Sequence, residues 1–234
     1  MHNSRTSALR GACFTCLLLL LLAVPAKAAS VALTFDDGPS GKLTRELLDI
    51  LSEEDVPATF FLCGYRLEQY PESAALLGPT EHELGVHGYS HTPMNRLSGE
   101  ALREELEKTG LLIMEATGRE ATLLRPPGGL CCPAVQDEAA LEGYPVILWS
   151  VDPEDWKSGN TGAAICRRVV DTARDGDIIL LHDLDRRTLE ALPPMIRALK
   201  EQGFTFLTVS ELAQQRGVTL EPGQCYSHFP DSSG

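Results

Sequence analysis

Basic residues are scarce in this 234-residue chain. Its 20 Lys and Arg stand against 33 Asp and Glu, for a formal net charge of −13. A surface so acidic repels phosphate backbones, which excludes nucleic acid as a partner. No G-x-G-x-x-G or Walker sequence occurs, so the usual nucleotide-cradling loops are absent. No G-x-S-x-G occurs either, which removes the serine-esterase elbow. Beyond residue 28 there is no C-x-x-C pair, so a structural zinc ribbon has no ligands to draw on. Ser/Gly linkers and internal repeats are also lacking, and the length suits one domain. With 43% hydrophobic and 23% charged residues, the composition is that of a globular chain.

Long apolar runs are missing too. The longest stretch, Cys13 to Val24, falls short of the ~20 residues a membrane helix requires. Arg5 and Arg10 precede a leucine run from Leu17 to Leu22, and Ala26-Lys27-Ala28 resembles a cleavage site. Residues 1–28 therefore read as a signal segment cleaved after Ala28, with a secreted or cell-envelope destination. Membrane attachment would require that segment to stay uncleaved. Cys16 precedes the leucine run, which argues against a lipoprotein signal. Cys63, Cys131, Cys132, Cys166 and Cys225 remain after cleavage, an odd number whose pairing the sequence leaves open.

The rest of the chain alternates. Strands are expected at Val31–Phe35, Pro57–Leu62, Glu83–Val86, Ala121–Leu124, Pro145–Trp149, Asp177–Leu181 and Phe204–Leu207. Helices fill the intervals: one rich in leucine after Gly38-Pro39, one around Leu67–Leu77, a long one from Ser98 to Thr117, and others from about Ala134, Thr161, Thr188 and Val209. About seven βα units without hairpin signals imply an α/β fold with a parallel sheet, a small distorted (β/α) barrel of the TIM kind. The domain is expected over residues 29–220, with 221–234 a loose tail.

Polar residues recur at the C-terminal ends of these strands. Asp36 and Asp37 follow the first, His87 and His91 the third, and Arg125 the fourth. Asp152, Asp155 and Trp156 follow the fifth, and His182-Asp183 the sixth. In a parallel barrel all of these meet on the face where βα loops build sites. His87 and His91, four apart, lie about 40° apart on a helical turn and could share one ion. The preceding His82-Glu83 imitates the start of H-E-x-x-H, but His87 comes one residue too late for that motif. A third, carboxylate ligand would complete a catalytic zinc-type set, and Asp36 and Asp37 both qualify. The other could activate water, with His182 as general acid.

Thr34-Phe-Asp-Asp-Gly-Pro39, His87-Gly-Tyr-Ser-His91, Arg125-Pro-Pro-Gly128, Asp152-Pro-Glu-Asp-Trp156 and Leu180-Leu-His182 resemble, in order, the five motifs of the polysaccharide deacetylase family, the NodB-homology group or carbohydrate esterase family 4. The resemblance runs from about Val31 to Leu212. It implies Asp36 as catalytic base, held by Arg125. It also implies a divalent metal, most often zinc, on Asp37, His87 and His91. His182 would be the acid, its pKa raised by Asp155. The Gly128 N–H would steady the oxyanion, and Trp156 and Leu180 would line the pocket for the acetyl methyl. Gly88 departs from the family's usual Ser or Thr, and Gly128 from a frequent Tyr. The implied activity is de-N-acetylation of N-acetylated amino sugars in a polysaccharide, peptidoglycan first, then chitin-like oligomers. Two rivals are an O-acetyl esterase of the xylan type and a catalytically silent sugar-binding envelope protein.

Overall fold

A computed structural model describes residues 28–231. The expected signal segment lies outside these residues, apart from Ala28. In chain order the elements are β1 (Ala29–Gly38), α1 (Lys42–Glu53), β2 (Thr59–Leu62), α2 (Gly64–Gln69), α3 (Pro71–Ala75), β3 (Glu83–Val86), α4 (Gly99–Thr117) and β4 (Leu123–Leu124). They continue with α5 (Pro133–Leu141), β5 (Val146–Ile147), α6 (Gly162–Thr172), β6 (Ile178–His182), α7 (Arg186–Glu201), β7 (Phe204–Phe206), α8 (Val209–Gln215) and β8 (Cys225–Tyr226).

All paired strands run parallel, in the order β6-β1-β2-β3-β4-β5-β8, while β7 joins the N-terminal part of β1. The sheet is curled but not fully closed. Single bridges, Val151 with Ile179 and Asp177 with His228, span the gap between its two ends. The expected barrel is therefore present in distorted, open form. β4 and β5 hold only two residues each, too few to complete a regular wall.

Residues alternate along β1 between two cores, as period-two side chains must. Val31, Leu33 and Phe35 face the surrounding helices, together with Leu47 and Leu51 of α1 and Leu102, Leu106 and Ile113 of α4. Ala32 faces the inside of the curl, with Phe61, Leu123, Ile147 and Ile178. That inner cluster is plugged by Val209, Leu212 and Ala213 of α8 and by Phe229.

Two expectations need correction. The helix foreseen around Leu67–Leu77 is broken in two at Tyr70, because Pro71 cannot continue a helical ladder and starts α3 instead. The residues after 220 are not loose in their described part. Cys225 and Tyr226 add β8 beside β5, Phe229 is buried, and a Cys131–Cys225 disulfide ties this segment to the loop after β4. Cys63, Cys132 and Cys166 are free. Ser98 caps α4 as its position suggested, accepting from the Ala101 N–H. The cap of α7 is Asp185, three residues before the expected start at Thr188.

Candidate active site

Two consecutive residues of a strand normally point to opposite faces, so Asp36 and Asp37 should diverge. A bulge prevents this. Asp36 pairs with Phe61 and Gly38 with Leu62, leaving Asp37 as the extra residue, at φ 72°. Both carboxylates therefore reach the same cavity. Gly38 is required beside them, because a Cβ there would lie 2.7 Å from Oδ2 of the wholly buried Asp183. Burial pushes the Asp183 carboxyl up to about 6, against the hydrogen bond it accepts from Thr44 Oγ1.

Arg125 sorts the two acids. It is fully buried, and its NH1 donates to Asp36 Oδ1 and Thr34 Oγ1, both at 2.7 Å. Its Nε and NH2 donate to the carbonyls of Ile147 and Leu148, and its guanidinium lies 4.1 Å from the Phe61 ring centroid. Such a charge-assisted bond orients Asp36 and leaves Asp37 to other partners. Thr34 and Phe61 were not anticipated from sequence. A lone threonine in an otherwise apolar buried strand was the available signal.

Asp37 Oδ1 faces His87 Nε2 at 3.3 Å and His91 Nε2 at 3.0 Å, yet this buried oxygen has no hydrogen-bond partner. The His87 Nδ1 lies 2.6 Å from the Arg125 carbonyl. A carbonyl only accepts, so Nδ1 donates a proton to it, and this bond fixes the ring with Nε2 turned toward Asp37. Burial alone would raise the Asp37 pKa, but the two facing imidazoles hold it far below the usual carboxylate range. An unpartnered carboxylate oxygen and two imidazole nitrogens lie within 4.8 Å of one another. Their donor types fit a divalent metal.

The helical turn expected for His87 and His91 is not formed. The histidines lie at the end of β3 and in the following loop, where Gly88 and His91 both take positive φ. Convergence comes from the loop's path and not from helical periodicity. His82, the decoy, sits elsewhere. Its Nδ1 accepts the Ala58 N–H, and burial lowers its pKa to about 4.

On the other side of the cavity His182 ends β6 in register with Asp36. Its Nδ1 lies 2.8 Å from Asp155 Oδ1, while Asp155 Oδ2 accepts the His182 backbone N–H and the Thr188 hydroxyl, each at 2.8 Å. Burial opposes a charged ring here. Asp155, with help from Asp36 and Asp37, outweighs it and raises the His182 pKa to about 9. Asp36, Asp37, His87, His91 and His182, with Gly128, Trp156 and Leu180, line a cavity of about 340 Å³. Leu180 is buried at its wall, whereas Trp156 is exposed at the rim. Trp149 joins the lining, unforeseen because it lay at the end of an expected strand. Asp152 lines the cavity as well, whereas Arg125, Asp155 and Asp183 are wholly buried behind it, the first two bonded to Asp36 and His182.

Architecture and side chains together define a class: a curled parallel sheet with one divalent-metal triad at its C-terminal edge, flanked by a clamped carboxylate and a carboxylate-backed histidine. The sequence pattern of the family described as polysaccharide deacetylase matches residues 23–147. The peptidoglycan-N-acetylglucosamine deacetylase PgdA of Listeria monocytogenes is 37% identical over 203 residues, covering 86% of this chain and 42% of that protein. A peptidoglycan-N-acetylglucosamine deacetylase of Bacillus cereus is 39% identical over 199 residues, covering 82% of this chain and 92% of that protein. Among solved structures, T48 deacetylase with substrate matches with TM-score 0.80 and 34% identity, over 86% of this chain and 97% of that one. A family 4 acetyl xylan esterase from Clostridium thermocellum with a cobalt ion matches with TM-score 0.80 and 32% identity, over 86% and 98%. The chain belongs to the polysaccharide deacetylase family. It spans less than half the length of the Listeria protein.

Proposed function

We propose that the protein is a metal-dependent hydrolase that removes N-acetyl groups from amino sugars of a polysaccharide, with peptidoglycan the first candidate. The observation that carries this reading is the placement of Asp36, the metal triad and His182 around one cavity. Zinc is the proposed ion, because two imidazoles and one carboxylate with an open position form a common catalytic zinc set. Bound there, it supplies Lewis acidity toward a water and the acetyl carbonyl.

The chain's own residues do the remainder. Asp36, oriented by Arg125, accepts the proton of the attacking water. The Gly128 N–H helps hold the negative charge that develops on the carbonyl oxygen. Leu180 and Trp156 enclose the acetyl methyl. His182 turns Nδ1 to Asp155 and presents Nε2 to the departing nitrogen. With its pKa near 9, the ring is protonated at neutral pH and can give that proton to the amine. Thr188 fixes the far oxygen of Asp155 and so the plane of the pair.

The test is acetate release from N-acetylglucosamine oligomers, peptidoglycan and acetylated xylan, with and without a chelator. Release from an N-acetylated substrate that stops with chelator and returns with Zn²⁺ is the expected outcome. No release from any N-acetylated polymer, or full turnover by rigorously metal-free protein, would overturn it. Likeness to an acetyl xylan esterase favours O-deacetylation as the second reading, and release from xylan alone would select it. A silent binder would release acetate from none of the three. We also propose that residues 1–28 act as a leader that exports the protein to the envelope, from their basic start, leucine run and Ala26-Lys27-Ala28; no helix among the described residues is long and apolar enough to cross a membrane.

A further inference from the structure

Gly88, Tyr89 and Ser90 connect the two ligand histidines and belong to no helix or strand. Their backbone groups need partners supplied from elsewhere. The carbonyls of Gly88 and Tyr89 accept from the N–H groups of Gly64 and Tyr65 at the start of α2, each at 3.0 Å. The N–H groups of Tyr89 and Ser90 instead converge on a single oxygen, Glu105 Oε2, at 2.6 and 2.8 Å. The Ser90 hydroxyl donates to Glu105 Oε1 at 2.6 Å. Glu105 thus binds the loop with both carboxylate oxygens from the middle of α4. That helix is itself anchored by the buried Leu102, Leu106 and Thr109.

The same carboxylate accounts for Gly88. A Cβ at that position would lie 3.1 Å from Glu105 Oε2 and 2.9 Å from Met94 Cε, on a backbone at φ 79°. No side-chain hydroxyl at position 88 is available to fasten this loop, and Glu105 fills the space beside it. The two histidines also differ in support. His87 is tethered through Nδ1 to the Arg125 carbonyl. His91 is half exposed, and among the described residues its ring meets Asp37 and the His87 ring with no backbone tether. The place of His91 therefore depends on the loop, and the loop depends on Glu105.

We propose that Glu105 is a positioning residue of the metal site, whose carboxylate holds the Tyr89 and Ser90 N–H groups and so sets His91 against Asp37. The inference rests on reading Asp37, His87 and His91 as a metal site. Its test needs no substrate: Zn²⁺ and Co²⁺ affinities are measured by chelator competition, with metal-free melting temperatures alongside. Glu105→Gln keeps the shape but replaces one acceptor oxygen with a donor. It should weaken both ions on the order of 10–100-fold, the usual cost of losing a residue that orients a ligand. Ser90→Ala, which loses the Oε1 bond and the hydroxyl's contacts with Thr92 but keeps both N–H bonds to Oε2, should fall between that variant and the wild type. It also serves as the readout if Glu105→Gln does not fold. Glu104→Gln, exposed on the same helix, is the control. A carboxylate that merely stabilised the fold would lower the metal-free melting temperature and leave the zinc affinity of the folded protein unchanged. That pattern, or wild-type affinity in both variants, overturns the proposal. Wild-type protein that binds zinc but releases no acetate would instead refute the deacetylase reading and leave this comparison intact.

Discussion

Asp36 and Asp37 are neighbours in sequence with separate surroundings, and substitution should separate them further. Asp36→Asn should leave metal content nearly intact while acetate release falls by a factor on the order of 10²–10⁴, the usual worth of a general base. Asp37→Asn should lose the metal itself, as measured by metal analysis of the purified protein. Equal metal loss in both would contradict the arrangement seen around Arg125. The His182–Asp155 pair has a signed pH consequence. His182 is protonated below its raised pKa of about 9, so the acid is available at neutral pH and is lost as pH rises. A cation beside Asp37 cancels part of the carboxylates' pull, so the alkaline limb of the metal-loaded enzyme falls somewhat below that value. Removing Asp155 leaves burial to dominate, and burial lowers the pKa of histidine. The alkaline limb of the Asp155→Asn rate profile on an N-acetyl substrate should therefore move down toward or below the free-histidine value of ~6.5. An unmoved limb would reduce Asp155 to a structural neighbour of His182.

Among elements, the segment that follows β8 has the clearest consequence. Phe229 is buried in the inner cluster against Ala32, Phe61 and α8, and its N–H donates to the Gly176 carbonyl. Phe229→Ala should cost about 3–5 kcal/mol of unfolding free energy, as large-to-small changes of buried aromatics do. Urea denaturation measures it, and a change under about 0.5 kcal/mol, the size of an ordinary surface substitution, would restore the picture of a loose tail. Backbone strain also gathers at particular joints. Four non-glycine residues have positive φ among the described residues, and Asp37 and His91 are two of them. Such conformations persist only where the surroundings hold them, here the β1 bulge and the loop bound by Glu105.

For the whole molecule, the metal triad joins the end of β1 to the loop after β3, segments far apart in sequence. A ligand that binds only the assembled site must stabilise the fold by mass action. Zn²⁺ at 100 times its dissociation constant should add about 2.7 kcal/mol and raise the melting temperature. His91→Ala should abolish most of that gain, whereas His82→Ala, which removes the acceptor for the Ala58 N–H, should lower the baseline and keep the gain. Differential scanning calorimetry separates the two outcomes.

Much of this was written in local sequence. The strand Glu83–Val86 is observed with the bounds its apolar pattern gave, and Ser98 and Val209 mark helix starts, because caps and periodicity act over a few residues. The polar residues after each strand also announced a shared face, since parallel strands must all end on the same side. Other features waited for tertiary structure. The pair Cys225–Tyr226 carries no periodicity of its own and becomes a strand only by docking on β5. Five cysteines allow many pairings, and only the fold brings Cys131 to Cys225. The division of labour between two adjacent aspartates depends on a one-residue bulge and on an arginine 89 residues away. Composition and spacing determine which groups are present and which edge they occupy. Which oxygen each group meets is decided by long-range packing, because a shift of one residue in a strand turns a side chain to the opposite face.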